Sequence, residues 1–388
     1  MTIGIEGQRL YRKKKHGMDM VALELIKNLQ QIDTQNQYVI FVKPDEDHTC
    51  IPAAPNFKIV EVPSKLGYPG WEQLALPKAA KQEGCDVLHV TSNTGPIKTT
   101  IPLITTLHDI IYMESISILK KDGTWYQKLG NMYRRFIVPP VIRKSKKVIT
   151  VSKYERERIK DFFKLNDKQL VAVYNGVGSH FQKITNVDVL QQIKSKYQLP
   201  DQFFFFLGNT DPKKNTKGVL KAFADFNAQY RNQYQLVMLD YDEVELQKLL
   251  QSIDAIEIRK LIHLTGYVPN TDLPAIINQC SGFLYPSLRE SFGIPILEGM
   301  ACGVPVITSN TASMPEVAGT DGAALIVNPF QPEEITSAMI QIVEDESLAQ
   351  SLSTKGMERA KAFSWENMAK QVLELYKEVY HELKQKAL

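Results

Sequence analysis

The sequence predicts an α/β fold made of two doubly wound parallel sheets, each in its own domain. Three observations carry this expectation. Short apolar or β-branched runs alternate with amphipathic segments along the whole chain, the pattern of parallel strands joined by crossover helices. Several of the runs, Phe203–Leu207 above all, are apolar at every position, as strands covered on both faces must be. The pattern also restarts near residue 200 of a 388-residue chain, which is long enough for two domains.

In the first half, strands are expected at Thr2–Ile5, Tyr38–Val42, Lys58–Val62, Val87–Val90, Leu103–Leu107, Val148–Val151 and Leu170–Val173. Between the first two lies Met18–Leu29, with Met18, Val21, Ala22, Leu25, Ile26 and Leu29 at helical spacing. Asn175–Leu199 is a polar connector with a short helix, ending at Pro200. In the second half, strands are expected at Phe203–Leu207, Gln235–Leu239, Ile262–Leu264, Gly282–Tyr285, Val304–Thr308 and Ala324–Val327. The tail Glu366–Lys386 reads as a long amphipathic helix with Met368, Val372, Leu375, Val379 and Leu383 on one side. The result is two Rossmann-like domains, 1–182 and 183–365, facing across a cleft. Ligands of such sheets sit outside the carboxyl ends of the strands, so two facing sheets are expected to share one site.

Composition excludes several classes. With 44% hydrophobic and 23% charged residues, the chain is apolar enough to fold. No run reaches 18 apolar residues, so no transmembrane helix is expected. The start, MTIGIEGQRLYRKKK, lacks the order of a secretory signal. Cys50, Cys85, Cys280 and Cys302 form no C-x-x-C pair, which points away from a zinc site or a disulfide framework and toward a reducing cytoplasm. A net charge of +3 argues against a nucleic-acid partner. The charge is unevenly spread: residues 1–180 hold 27 Lys+Arg against 18 Asp+Glu, and the remainder 19 against 25. A basic first half suits an anionic surface or substrate, or is drift in surface charge between two domains.

The most informative segment is Glu290–Asn310, ESFGIPILEGMACGVPVITSN. Glu290 falls in the loop after the strand Gly282–Tyr285, and Ile294–Ala301 reads as a helix closed by Gly303. The backbone N–H groups of Phe292, Gly293 and Ile294 at that helix start suit a phosphate, and Gly293 permits close approach of a ligand. Glu290 and Glu298, one turn into the helix, can each accept hydrogen bonds from a vicinal diol, one on a sugar and one on a ribose. A helix-start acid plus a buried, paired Glu is the plainer alternative. A second segment, Leu207-Gly208-Asn209-Thr210-Asp211-Pro212-Lys213-Lys214-Asn215, is a Gly-containing turn after a strand with lysines suited to a leaving diphosphate.

The run P-S-L-R-E-S-F-G-I-P-I-L-E-G-M-A-C-G-V-P-V-I, Pro286–Ile307, strongly resembles the Glu-x7-Glu motif of retaining GT-B glycosyltransferases, especially glycosyltransferase family 4 (group 1). It departs at Ser291, where Gly is common, and at Gly299, where Ala is common. Gly208–Asn215 resembles the family's G-R/N-x-x-P-R/K-K-N element, whose Lys before Asn contacts the donor phosphates; that position is Lys214, and Asn209 stands where many relatives have Arg. Thr265-Gly266-Tyr267-Val268-Pro269-Asn270 resembles the loop over the nucleotide base. Ser313–Gly319, with Glu316, matches a further common stretch. Thr106-Leu107-His108-Asp109 resembles the H-D element in which the His lies beside the reacting sugar. Ile3–Gly7 and His16-Gly17 match the first strand and its acceptor-side loop, and Phe363-Ser364-Trp365-Glu366 precedes a helix, 366–388, that in this fold crosses back to the first domain. Val151-Ser152-Lys153 and Tyr174-Asn175-Gly176-Val177 match in part.

The resemblance implies a retaining hexosyltransferase that uses a GDP- or UDP-hexose and a saccharide or lipid-linked acceptor in surface polysaccharide assembly. It implies His108, Lys214 and Glu290 as catalytic residues. Gly17, Gly208, Asn209, Lys214, Tyr267, Val268, Glu290, Phe292, Gly293, Ile294 and Glu298 are expected on the donor, and Arg12, Lys13, Lys14, Lys15, His16 and Asp109 on the acceptor side. No cofactor or metal is expected. Asp240-Tyr241-Asp242 is a D-x-D match, read here as an exposed acidic loop rather than as metal ligands. The basic loop Arg9–His16, with Leu10 and Tyr11 interleaved, is expected either to hold a cytoplasmic enzyme at an anionic inner membrane face, its apolar residues dipping in, or to close over a soluble anionic acceptor. A nucleotide-sugar epimerase of the same fold would lack the paired Glu and their flanks. A non-catalytic sugar-binding scaffold is disfavoured by intact Glu290, Glu298, Lys214 and His108, and a dehydrogenase by the missing G-x-G-x-x-G after the first strand.

Overall fold

The computed structural model describes residues 1–114, 125–230 and 233–387. Its contacts divide the chain into two units, Met1–Gly176 with Trp365–Leu388, and Val177–Ser364. The first closes at Gly176 rather than at residue 182, because Val177 already donates its N–H to the carbonyl of Phe363, inside the second unit.

The first unit is built on β1 (Thr2–Glu6), β2 (Gln37–Val42), β3 (Phe57–Glu61), β4 (Val87–Val90), β5 (Leu103–Thr106), β6 (Lys147–Thr150) and β7 (Leu170–Ala172). All pairs are parallel, in the order β3-β2-β1-β4-β5-β6-β7. β1, β4, β5 and β6 are covered on both faces, so nearly every position is apolar or hydrogen-bonded. The helix Gly17–Ile32 buries Ala22, Leu23, Leu25, Ile26 and Leu29 and packs on the C-terminal helix Trp365–Ala387. That last helix therefore belongs to the first unit, although 188 residues of the second unit precede it in the chain (Val177–Ser364).

The second unit holds β8 (Phe203–Phe206), β9 (Gln235–Met238), β10 (Ile262–Leu264), β11 (Gly282–Tyr285), β12 (Val306–Ser309) and β13 (Leu325–Val327). The order is β10-β9-β8-β11-β12-β13, again parallel throughout. The four phenylalanines of β8 are wholly buried, with Phe204 edge-on to Phe226 of the helix Thr216–Tyr230. β12 starts at Val306 rather than at Val304, because Pro305 has no N–H to give to a ladder.

In both sheets the chain winds outward from one strand in two directions. The reversal lies between β1 and β4 in the first unit and between β8 and β11 in the second. Each reversal leaves a crevice at the carboxyl ends of the two strands, where ligands of doubly wound sheets bind.

Candidate functional site

In the second unit, the loop after β8 begins at Gly208, where any Cβ would come within 2.1 Å of the Phe206 ring; only glycine fits. Asn209 accepts the N–H of Asp211 through Oδ1, and Asp211 accepts that of Lys213, so the loop turns on its own side chains. Asn209 is exposed and serves that turn, which leaves Lys214 as the loop's cation inside the site. Asn215, in the left-handed region (φ 59°), donates from Nδ2 to the carbonyls of Pro286 and Pro329 at 3.1 and 2.7 Å. This ties the loop to the chain just beyond β11 and β13.

That staple brings Lys214 to the loop after β11. Its Nζ donates to Glu290 Oε1 at 2.7 Å and to the Tyr285 hydroxyl at 2.8 Å. The two charged side chains are 15% and 12% exposed, partly desolvated yet reachable. Glu290 is held by its backbone: the Ser313 hydroxyl donates to the carbonyls of Glu290 and Phe292, both at 2.9 Å. Gly293 (φ 107°) starts the helix Ile294–Ala301 from the left-handed region, which strongly favours glycine. The first N–H groups of that helix have no carbonyl one turn back within it and carry the positive end of its dipole. Phe292 is buried edge-on against Phe363.

Glu298 sits one turn into that helix. Burial of its carboxyl pushes the pKa up to about 7, opposed by the positive charge of Lys214. Among the described residues no hydrogen bond reaches this carboxylate, so it stands ready for hydroxyl donors. Tyr267 and Val268 follow β10, where Gly266 (φ 71°) makes the turn; Tyr267 is 75% exposed. Glu316 lies on the short helix Met314–Ala318, and its carbonyl accepts from Arg359. Asp242 accepts the N–H of Glu245 and caps the helix Glu243–Gln251, a structural task for one acid of the D-x-D match. No group of three His, Cys, Asp or Glu side chains among the described residues is placed to hold a metal.

In the first unit, His108 follows β5 and is buried. Its backbone N–H donates to Asn93 Oδ1 at 2.7 Å, and its Nε2 lies 3.0 Å from the carbonyl of Thr91. A carbonyl only accepts, so Nε2 carries the proton and Nδ1 presents a lone pair. Burial lowers the pKa of His108 and keeps the ring neutral at pH 7, with the Thr91 carbonyl pulling the other way. Asp109 accepts the N–H of Ile111 and shapes the turn beyond. Thr91 is fixed in turn by Glu6 at the end of β1, which accepts its N–H and its hydroxyl at 3.2 and 3.0 Å.

The loop after β1 departs from expectation. Leu10 and Tyr11 are buried at 1% and 3% exposure and are not free to enter a membrane. Residues 47–50 fold over them: Tyr11 stacks edge-on to His48, its carbonyl accepts from Asp47, and that of Leu10 accepts from the Cys50 thiol. Lys15 pairs with Asp47 at 2.5 Å. Arg12 is half-buried, and Lys13 and Lys14 are exposed. His16 caps the helix Gly17–Ile32, its N–H donating to Asp19 at 2.9 Å. The space beside Gly17 is open, since a Cβ there would meet nothing within 4 Å.

The structure thus brings together Gly208, Lys214, Glu290, Phe292, Gly293, Ile294 and Glu298 at one strand-order reversal. Sequence reasoning missed Tyr285, Asn215 and Ser313 there, and Glu6, Thr91 and Asn93 around His108. Asn215, Ser313 and Glu6 stood inside the matched stretches Gly208–Asn215, Ser313–Gly319 and Ile3–Gly7 but were given no role there. Tyr285 closes a strand, and Thr91 and Asn93 are single polar residues just beyond one, which no local pattern marks.

Comparison with known proteins bears on the family and the fold. Residues 190–359 match the family described as glycosyl transferases group 1, and residues 16–180 match glycosyltransferase family 4. The O-antigen chain mannosyltransferase B of Escherichia coli is 32% identical over 275 residues, covering 71% of this chain and 70% of that protein. Among solved structures, the sucrose-phosphate synthase of Thermosynechococcus elongatus superposes with a TM-score of 0.75 at 17% identity, covering 98% and 99% of the two chains. Anabaena HepE, in complex with UDP-glucose, gives 0.74 at 16% identity, covering 97% and 100%. At such identities the structures bear on the fold alone.

Proposed function

The chain belongs to the group 1 glycosyltransferases, family 4, with the GT-B fold, and from that premise we propose that it is a retaining mannosyltransferase of surface polysaccharide assembly. It moves mannose from GDP-mannose to a hydroxyl of a saccharide or lipid-linked saccharide. The carrying observation is the convergence of Lys214, Glu290 and a glycine-started helix N-terminus at the reversal between β8 and β11. The choice of mannose rests on the Escherichia coli relative, itself a mannosyltransferase.

In this reading the second unit binds the donor. Glu298 accepts from the ribose hydroxyls, Glu290 accepts from the sugar, and the backbone of Phe292–Ile294 meets the diphosphate with Lys214. As the bond from C1 to the phosphate oxygen breaks, charge grows on the diphosphate, and these fixed donors stabilise it without reorganisation. The acceptor hydroxyl attacks C1 from the face the phosphate leaves, and its proton passes to the departing phosphate oxygen. The likeness of Thr106–Asp109 to the family's H-D element assigns His108, on the first unit, to the reacting sugar, and its ring is neutral. Lys214 and helix N–H groups take the role a metal would have, so turnover is expected to persist in EDTA. Loss on chelation, restored by magnesium or manganese, would revive Asp240 and Asp242.

The proposal puts the enzyme in the cytoplasm, drawn to the inner membrane face by charge alone, through Lys13, Lys14 and the basic balance of its first half. Among the described residues no helix is long and apolar enough to cross a membrane. The test is release of nucleoside diphosphate from GDP-mannose, UDP-glucose and UDP-galactose with saccharide acceptors, followed by NMR of the product anomer. GDP release with an α-linked mannoside is expected. Release from a UDP-hexose alone would overturn the donor, and a β-linkage would overturn retention.

A further inference from the structure

We propose that Tyr376, on the C-terminal helix, is a positioning residue for His108, acting through His89 and Thr106. The proposal rests on the role given to His108 above. Its basis is a hydrogen-bonded ladder across the ends of β4 and β5. The Tyr376 hydroxyl lies 2.7 Å from His89 Nδ1, and His89 Nε2 lies 2.8 Å from Thr106 Oγ1. The carbonyl of Thr106 accepts the Asn93 N–H at 3.2 Å, and Asn93 Oδ1 accepts the His108 N–H. Two residues beyond His89, the carbonyl of Thr91 accepts from the His108 ring. His89 on β4 and Thr91 just beyond it are therefore joined to Thr106 on β5 and His108 just beyond it by two rungs, and both supports of His108 rest on the rung between His89 and Thr106.

His89, Thr106 and Tyr376 are all buried, His89 at 1% exposure. Three polar groups in a core are costly unless each is bonded, and apolar residues would pack there more cheaply. What the trio adds is a fixed geometry. Burial and the neighbouring His108 push the pKa of His89 down to about 3, so its ring is neutral and has one donor and one acceptor. When Tyr376 donates to Nδ1, Nε2 carries the proton and donates to Thr106. Removing the Tyr376 hydroxyl releases that choice. Beside the rung lies a cavity of about 20 Å³ lined by His89, Thr91, Thr106, Asn175, Met368 and Val372, room for about one water molecule. Freed strand ends have space there to shift. Asn93, held in the left-handed region (φ 69°), would transmit the shift directly.

The experiment compares Tyr376→Phe and His89→Gln with Val379→Ala, a core truncation on the same helix outside the ladder. Each full-length variant is assayed for kcat and donor KM, and its His108 ring is followed by 15N NMR. Tyr376→Phe and His89→Gln are expected to lose about tenfold or more in kcat, as small misplacements near a reacting centre do, with donor KM unchanged and the His108 ring signals shifted. Val379→Ala should lower Tm while leaving kcat and the His108 signals at wild type. If Tyr376→Phe keeps wild-type kcat and His108 signals, the proposal is overturned; should that variant not fold, His89→Gln decides by the same measures. His108→Ala is run alongside. Full activity of that variant would remove the role of His108 in the reaction, while the NMR of the other variants still decides whether Tyr376 positions its ring.

Discussion

At the ends of β8 and β11 the second unit gathers a lysine, two glutamates and the start of a helix. At the ends of β1 and β4, the corresponding strands of the other sheet, the first unit gathers Glu6, Thr91 and Asn93, with His108 supplied from β5. The two sheets share their central strand order, and the crevice is in the same place in each. The chemistry differs. The second unit offers formal charge and fixed N–H groups, which suit an anionic diphosphate. Around His108 the first offers a neutral imidazole held in a web of hydrogen bonds, with the Glu6 carboxylate engaged by the N–H and hydroxyl of Thr91, which suits hydroxyls and precise placement. In the proposed reading one fold serves two kinds of ligand, and the loops decide which.

That contrast breaks most visibly at Lys214. Lys214→Ala should lower kcat by about 10²–10³-fold, the usual cost of losing one preorganised charge-stabilising donor, and should weaken nucleoside diphosphate binding by calorimetry. Unchanged affinity would remove the second unit from the donor's phosphates.

His108→Ala should cost about 10²-fold in kcat, within the range for a positioned proton-handling or sugar-side group, yet leave the dissociation constant for the bare nucleoside diphosphate at its wild-type value. If the affinity falls in step with kcat, the division of labour between the units is wrong.

Glu298 sharpens the comparison through pH. Its folded pKa of about 7 lies above the ordinary 4.5, so the folded chain holds this proton more tightly than the unfolded chain. Glu298 therefore opposes folding increasingly as pH rises from 4.5 to 7. Ribose hydroxyls donate to the ionised carboxylate, so binding of the nucleoside diphosphate should release a proton and tighten as pH rises through 7. An effect of about tenfold is expected, in line with hydrogen bonds to a charged group. Calorimetry in two buffers of different ionisation enthalpy reads the proton release. Glu298→Gln should abolish it, and release of the proton by that variant would assign it to the phosphates instead.

The smallest effect belongs to the basic loop. Near an anionic bilayer each exposed lysine contributes about 1 kcal/mol, roughly fivefold in partitioning. Lys13→Ser and Lys14→Ser should each reduce co-sedimentation with anionic vesicles at low salt by that factor, and the difference should vanish at high salt. Lys15→Ser should change less, since Lys15 is paired with Asp47. Equal pelleting of all variants would leave the soluble acceptor.

The sequence by itself determined the sheets and most of the residues of the proposed donor side. The central strands were legible because a strand covered on both faces has to be apolar nearly throughout, as Phe203–Phe206 shows, and edge strands such as Phe57–Glu61 by their β-branched and aromatic residues between turns. Gly208 and Lys214 were legible as one pattern, and Glu290, Gly293 and Glu298 as another, because each set lies in a single loop or in a loop and the helix that follows it; that the two sets meet, 76 positions apart, is the work of the sheet. Tertiary structure alone decided the rest. It buried Leu10 and Tyr11 under residues 47–50, which the alternation of basic and apolar residues did not foretell. It set Tyr376 against His89, 287 positions away, because the C-terminal helix returns to the first sheet. It joined Thr91, Asn93 and His108 from two strands at the end of that sheet. Such contacts carry no local signature: a hydrogen bond between distant residues constrains each to be polar, and a single polar residue in a strand looks the same whether or not its partner exists.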